Sequence, residues 1–124
     1  MEKLLPLRFI NRYKKNHGYR KKNVMIKHIV VWKLQESAEG KSKTENAMHM
    51  KILLENMRGK IPGLKHLEVG LNTTEEQSDA DIVLYAEFET RADLVAYQIH
   101  PVHVAAGTFI SKVRAERYVV DYDV

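Results

Sequence analysis

The strands of this chain are apolar on both faces, and that restricts its fold more than any other feature. In residues 26–34 (IKHIVVWKL), Val30 and Trp32 point one way while Ile29 and Val31 point the other, because successive strand side chains alternate. In residues 81–89 (DIVLYAEFE), Ile82, Leu84, Ala86 and Phe88 oppose Val83 and Tyr85. In residues 114–121 (RAERYVVD), Tyr118 and Val120 oppose Val119. A sheet with helices on one face should be polar on the other. Here a second apolar face remains, larger than soluble monomers tolerate. The pattern predicts a homodimer whose two sheets pack through that face.

The segments between the strands supply the rest of the frame. Residues 37–41 read as a polar loop. Ser42 and Glu45 have capping-box spacing, in which a hydroxyl and a carboxylate each satisfy a free backbone N–H. A helix then runs to about Arg58, with Ala47, Met50, Leu53, Leu54 and Met57 on one arc. Gly59 suits its C-terminal end, and Pro62-Gly63 forbids continuation. A short strand is predicted over 66–71, a polar hairpin loop over 72–80 and a third strand over 81–89. Thr90 can cap a helix starting at Arg91, and Pro101 suits the first turn of another reaching about Lys112. A last strand covers 114–121. The order β-α-β-β-α-β is that of an α+β, ferredoxin-like fold, and the 124-residue length is that of one domain.

Charge divides the chain in two. Residues 1–24 hold eight basic side chains and one acid, which leaves twelve basic and fifteen acidic of the chain's 20 and 16 in residues 25–124. The domain is therefore mildly acidic and offers no basic face to nucleic acid. The N-terminal segment lacks the apolar core of a secretory signal. It can be read as a basic arm for nucleic acid or anionic lipid, as an organelle-targeting segment, or as an upstream extension with translation starting at Met25. The last is favoured because Met25 directly precedes the first clear strand. No stretch approaches the apolar length of a membrane span. The chain has no cysteine, which excludes disulfides and thiolate chemistry and agrees with a cytoplasmic protein.

Three segments, 25–34 (MIKHIVVWKL), 61–70 (IPGLKHLEVG) and 97–103 (YQIHPVH), lie in this order on the predicted frame. Together they resemble the stress-responsive A/B barrel family (Dabb), a branch of the dimeric α+β barrel superfamily, over about residues 25–122. The resemblance implies the same ferredoxin-like fold and sheet-to-sheet homodimer. Residues 1–24 match nothing in that family. Its olivetolic acid cyclase branch performs an intramolecular aldol condensation without metal or cofactor. There a Tyr and the second His of a Tyr-x-x-His-Pro-x-His segment carry the chemistry. By resemblance these roles fall on Tyr97 and His103, while His28 matches a first-strand His near the pocket and His100 the first His of the pair. The other pocket residues of that branch have no match here, so polyketide substrates do not carry over.

Each of these residues has a bland reading beside the sharp one. With Val102, Ala105, Phe109 and Val113 taken as the buried stripe of the last helix, His103 lies about 100° from Val102, at the core's edge. A neutral imidazole there can take a proton near pH 7, or it can simply bond a backbone carbonyl and fix the helix junction. Tyr97 can donate to a carbonyl oxygen and stabilise an enolate. His28 shares a face with Val30 and Trp32 and is a catalytic partner or a satisfied core histidine. His100, before Pro101, is a substrate-positioning group or pins the bend. Trp32 lines the substrate site or packs the core. His100 and His103 are three apart with a proline between them and no acid nearby, so no metal site and no cofactor are predicted. Three functions follow: a small-molecule enzyme or binder with a pocket between sheet and helices, a non-catalytic stress or structural dimer, and a cofactor-free oxygenase. A solvent-reachable cavity beside His103 and Tyr97 separates the first from the second.

Overall fold

The computed structural model describes residues 25–74 and 79–124. The reading of residues 1–24, and the middle of the 72–80 loop, lie outside the described residues. Strand β1 (Ile26–Leu34) leads into a small hairpin of β2 (Ser37–Ala38) and β3 (Lys41–Ser42), then helix α1 (Lys43–Glu55), β4 (Leu64–Leu71), β5 (Ile82–Phe88), α2 (Arg91–Ile99), α3 (Pro101–Val113) and β6 (Arg114–Asp123). The main sheet has the order β4-β5-β1-β6 with every neighbouring pair antiparallel. This is the ferredoxin-like arrangement expected from the strand and helix order.

Local chemistry explains the boundaries. The Ser42 side chain accepts from the Glu45 N–H and the Glu45 carboxylate accepts from the Ser42 N–H, so the capping box forms. Helix α1 ends at Glu55, a turn earlier than the periodicity predicts. From there Met57, Arg58 and Lys60 donate to carbonyls three residues back, tightening the chain into turns. Gly59 takes the positive φ of 74° that reverses it. Thr90 caps α2 by accepting from the Asp93 N–H. One segment differs in kind from its prediction. Residues 37–42 form a hairpin through Glu39 and Gly40, both at positive φ. Its anchor is the buried Asn46, which donates to the Ala38 carbonyl.

Strand register assigns the two faces. Pairing of His28 with Asp121, Val30 with Val119 and Trp32 with Arg117 puts all six on the helix side, with Leu84 and Ala86 of β5. Ile29 opposite Val120 and Val31 opposite Tyr118 lie on the outer side. Met50, Met57, Leu84 and Phe88 belong to the core at 0% exposure. In α3 the buried stripe is Ala106, Ile110 and Val113, while Val102 and Phe109 are half-buried and Ala105 is exposed. The stripe is thus rotated by about one residue from the predicted one. Phe109 packs beside α1, its ring 4.2 Å from that of His49. His103, three residues before Ala106, lies on the true stripe and faces the sheet.

Candidate functional site

A cavity of about 250 Å³ opens between the sheet and the α2–α3 corner. Its walls include His28, Trp32, Tyr97, His103, Gly107 and Arg117. The sheet contributes His28, Trp32 and Arg117 from neighbouring strands, and the helices contribute Tyr97 and His103 from either side of the corner. The corner is made by His100 and Pro101. The His100 backbone is extended (φ −66°, ψ 136°), as a residue before proline prefers, and it is both the C-cap of α2 and the N-cap of α3.

The hydrogen bonds fix the state of each histidine. Nδ1 of His103 lies 3.0 Å from the Gln98 carbonyl oxygen. A carbonyl only accepts, so Nδ1 carries the hydrogen and neutral His103 keeps the Nε2 lone pair free. Burial holds the His103 pKa below its ordinary 6.5, an effect that the Gln98 carbonyl opposes and the nearby His28, Arg117 and His100 reinforce. His103 is therefore neutral at pH 7. Nδ1 of His28 is 2.5 Å from Oδ1 of Asp121, which receives its hydrogen and orients the buried ring. Nδ1 of His100 instead accepts from the Val102 N–H at 3.1 Å.

Tyr97 stands between two of these rings, 5.7 Å from His28 and 4.4 Å from His103. It is 1% exposed. Burial pushes its phenol pKa well up, only partly offset by the positive charge of Arg117, so Tyr97 remains an O–H donor. Among the described residues its hydroxyl has no protein partner.

His28, Trp32, Tyr97 and His103 thus share one cavity. His100 does not line it and serves the helix junction. Arg117, Arg114 and Asp121 carry no motif that marks them as site residues, although alternation in RAERYVVD opposes Arg117 and Asp121 to Tyr118. Among the described residues no group of three acidic or histidine side chains could hold a metal ion. No helix of the described residues is long and apolar enough to cross a membrane.

The family model for the stress-responsive A/B barrel domain matches residues 26–124. The chain belongs to that family. A dimeric protein of unknown function and ferredoxin-like fold from Bacteroides fragilis is 35% identical, with a TM-score of 0.73 over 81% of this chain and 96% of that one. A dimeric ferredoxin-like protein of unknown function from Thermobifida fusca is 23% identical, with a TM-score of 0.72 over 82% and 92%. A hydroxynitrile lyase from Passiflora edulis shares the fold at 13% identity, with a TM-score of 0.67 over 81% and 93%. No curated protein matches the chain.

Proposed function

We propose that this Dabb chain is a cofactor-independent enzyme that removes a proton α to a carbonyl, in the manner of an aldol-type cyclase or lyase. The observation that carries this reading is the pairing, in one cavity, of His103 as a neutral imidazole with Nε2 free and Tyr97 as a buried phenol donor 4.4 Å away ring to ring. His103 takes the α-proton on Nε2. The electron pair moves into the carbonyl, and the Tyr97 hydroxyl donates to the resulting enolate oxygen. His28, held by Asp121, and Trp32 shape the wall that orients the substrate, and His100 keeps the two helices at the angle that brings donor and base together. The fold-sharing hydroxynitrile lyase is compatible with such chemistry on this scaffold but assigns no substrate to this chain.

The working unit in this reading is a homodimer formed through the outer sheet face. Tyr118 is 64% and Val120 55% exposed there, beside Tyr122 and Val83. Ile29 and Val31 extend the patch across β1. Such a surface favours a second copy over water, and the solved relatives from B. fragilis and T. fusca are described as dimeric. Sedimentation at micromolar concentration should give a two-copy particle.

The catalytic reading is tested with 4-phenyl-2-butanone, following exchange of its α-hydrogens in D₂O by NMR. The wild-type chain should exchange them faster than buffer. His103→Ala should remove about 10²-fold or more of that rate while sedimentation and far-UV spectra stay unchanged. Undiminished exchange in a folded His103→Ala protein would end the assignment.

A further inference from the structure

We infer that the cavity is built for a small carboxylic acid with an apolar body, its carboxylate held by Arg117 with Arg114 beside it. This rests on the cavity being the substrate site and adds the charge of what enters it. The lining contains both arginines and no aspartate or glutamate. Neither guanidinium has a hydrogen-bond or ion-pair partner among the described residues, whereas Arg58 pairs with Glu55 and Arg91 with Asp123. Both acids of β6 on the same face are committed elsewhere, Asp121 to His28 and Asp123 to Arg91. The nearer of them, Asp121, lies four residues along the strand from Arg117, about 13 Å away. The positive charge at the mouth is therefore unbalanced by the protein.

Deeper in, the wall asks for an acceptor as well. Trp32 is 4% exposed, lines the cavity, and its indole N–H has no partner among the described residues. An indole can only donate, and a buried donor left unpaired is costly. The Tyr97 hydroxyl is a further donor. The Nε2 lone pair of His103 meets them from the helix side, suited to a C–H acid and not to an anion. A carboxylate offers two oxygens in a plane that a guanidinium fork matches. The apolar walls of Val30, Leu54 and Ile110 suit a ring or short chain behind it. The field of Arg117 reaches the catalytic pair, since it lowers the pKa of both Tyr97 and His103.

The test uses three molecules of nearly one shape: 3-phenylpropionate, 3-phenylpropanamide and 4-phenyl-2-butanone. Each is titrated into the full chain while the indole N–H resonance of its one tryptophan is followed by NMR. The carboxylate should bind at least about tenfold more tightly than the amide, the factor expected of one charge-assisted pair. Arg117→Gln should erase that preference, Arg114→Gln should reduce it, and added salt should weaken the carboxylate alone. Equal binding of amide and carboxylate, or an unchanged preference in folded Arg117→Gln, would overturn the assignment and leave the two arginines as solvated surface groups. Binding of the neutral molecules without the acid would keep the cavity as the site and discard its charge selectivity. If none of the three moves the indole resonance, both readings fall.

Discussion

Under α1 and the turns that follow it the sheet meets Met50 and Met57, and under the α2–α3 corner it meets Tyr97, His103 and Ala106. The two regions belong to one layer and differ in what fills the space. At the α1 end, long aliphatic side chains close on Leu84, Leu67 and the β4–β5 pair, and Met50, Met57 and Leu84 are fully buried. At the corner end, small residues on α3, Ala106 and Gly107, face polar rings, and a cavity remains. Methionine adapts to gaps and fills them. The His28 and His103 rings, held by hydrogen bonds at fixed positions, do not. The lesson is a division of labour: one end holds the domain together, and the other gives up packing and leaves Tyr97 and His103 side by side at the wall of a cavity.

That contrast breaks most directly at Leu84. Leu84→Ala removes a fully buried side chain from the filled end and should cost about 2–5 kcal/mol in denaturant unfolding. A loss under about 1 kcal/mol would mean that the filled end is not the source of stability. The hollow end responds to pH instead. Burial lowers the pKa of His103 in the folded state below 6.5, so below that value the unfolded chain binds the proton better. The stability gained from a neutral His103 is complete above pH 6.5 and is lost as pH falls through its folded pKa. Acid unfolding curves of His103→Gln should be flatter in that range than those of the parent, and identical curves would remove the burial argument. The smallest effect belongs to Gly107, in the middle of α3 with no heavy atom within 4 Å of an added Cβ. Gly107→Ala should raise stability by about 0.5–1 kcal/mol through helix propensity alone. A loss would show that the space beside position 107 is tighter than the backbone geometry indicates.

Much of this was legible in the sequence because it rests on periodicity and local chemistry. Alternation in β1 and β5 assigned the faces of Trp32, Leu84 and Tyr85. The Ser42–Glu45 spacing, Thr90 and Pro101 located three helix starts. Less was legible where small residues decide. In α3, hydrophobicity alone favours Val102 and Phe109 as the buried stripe, yet the helix turns Ala106 to the sheet and packs Phe109 beside His49. Asn46 was passed over because an amide inside a helix looks solvated until the hairpin that it ties down is seen. Arg117 and Asp121 were hidden for a similar reason, as charged residues of a strand read as surface until a partner histidine or a cavity lies opposite. His103 could be picked out by its segment, but the tautomer that leaves Nε2 free depends on the Gln98 carbonyl, and no spacing rule encodes that contact.

The His100–Pro101 corner has a bearing on how such a site changes over time. The phenol of Tyr97 and the imidazole of His103 hang from one short uninterrupted run of chain, on either side of a bend whose ends are each stoppered by the same residue. Their separation is a matter of local covalent geometry and does not wait on distant loops. The walls opposite them, His28, Trp32 and Arg117, come from other parts of the chain. Change in the opposite wall can therefore reshape the cavity while the Tyr97 and His103 rings keep a constant gauge.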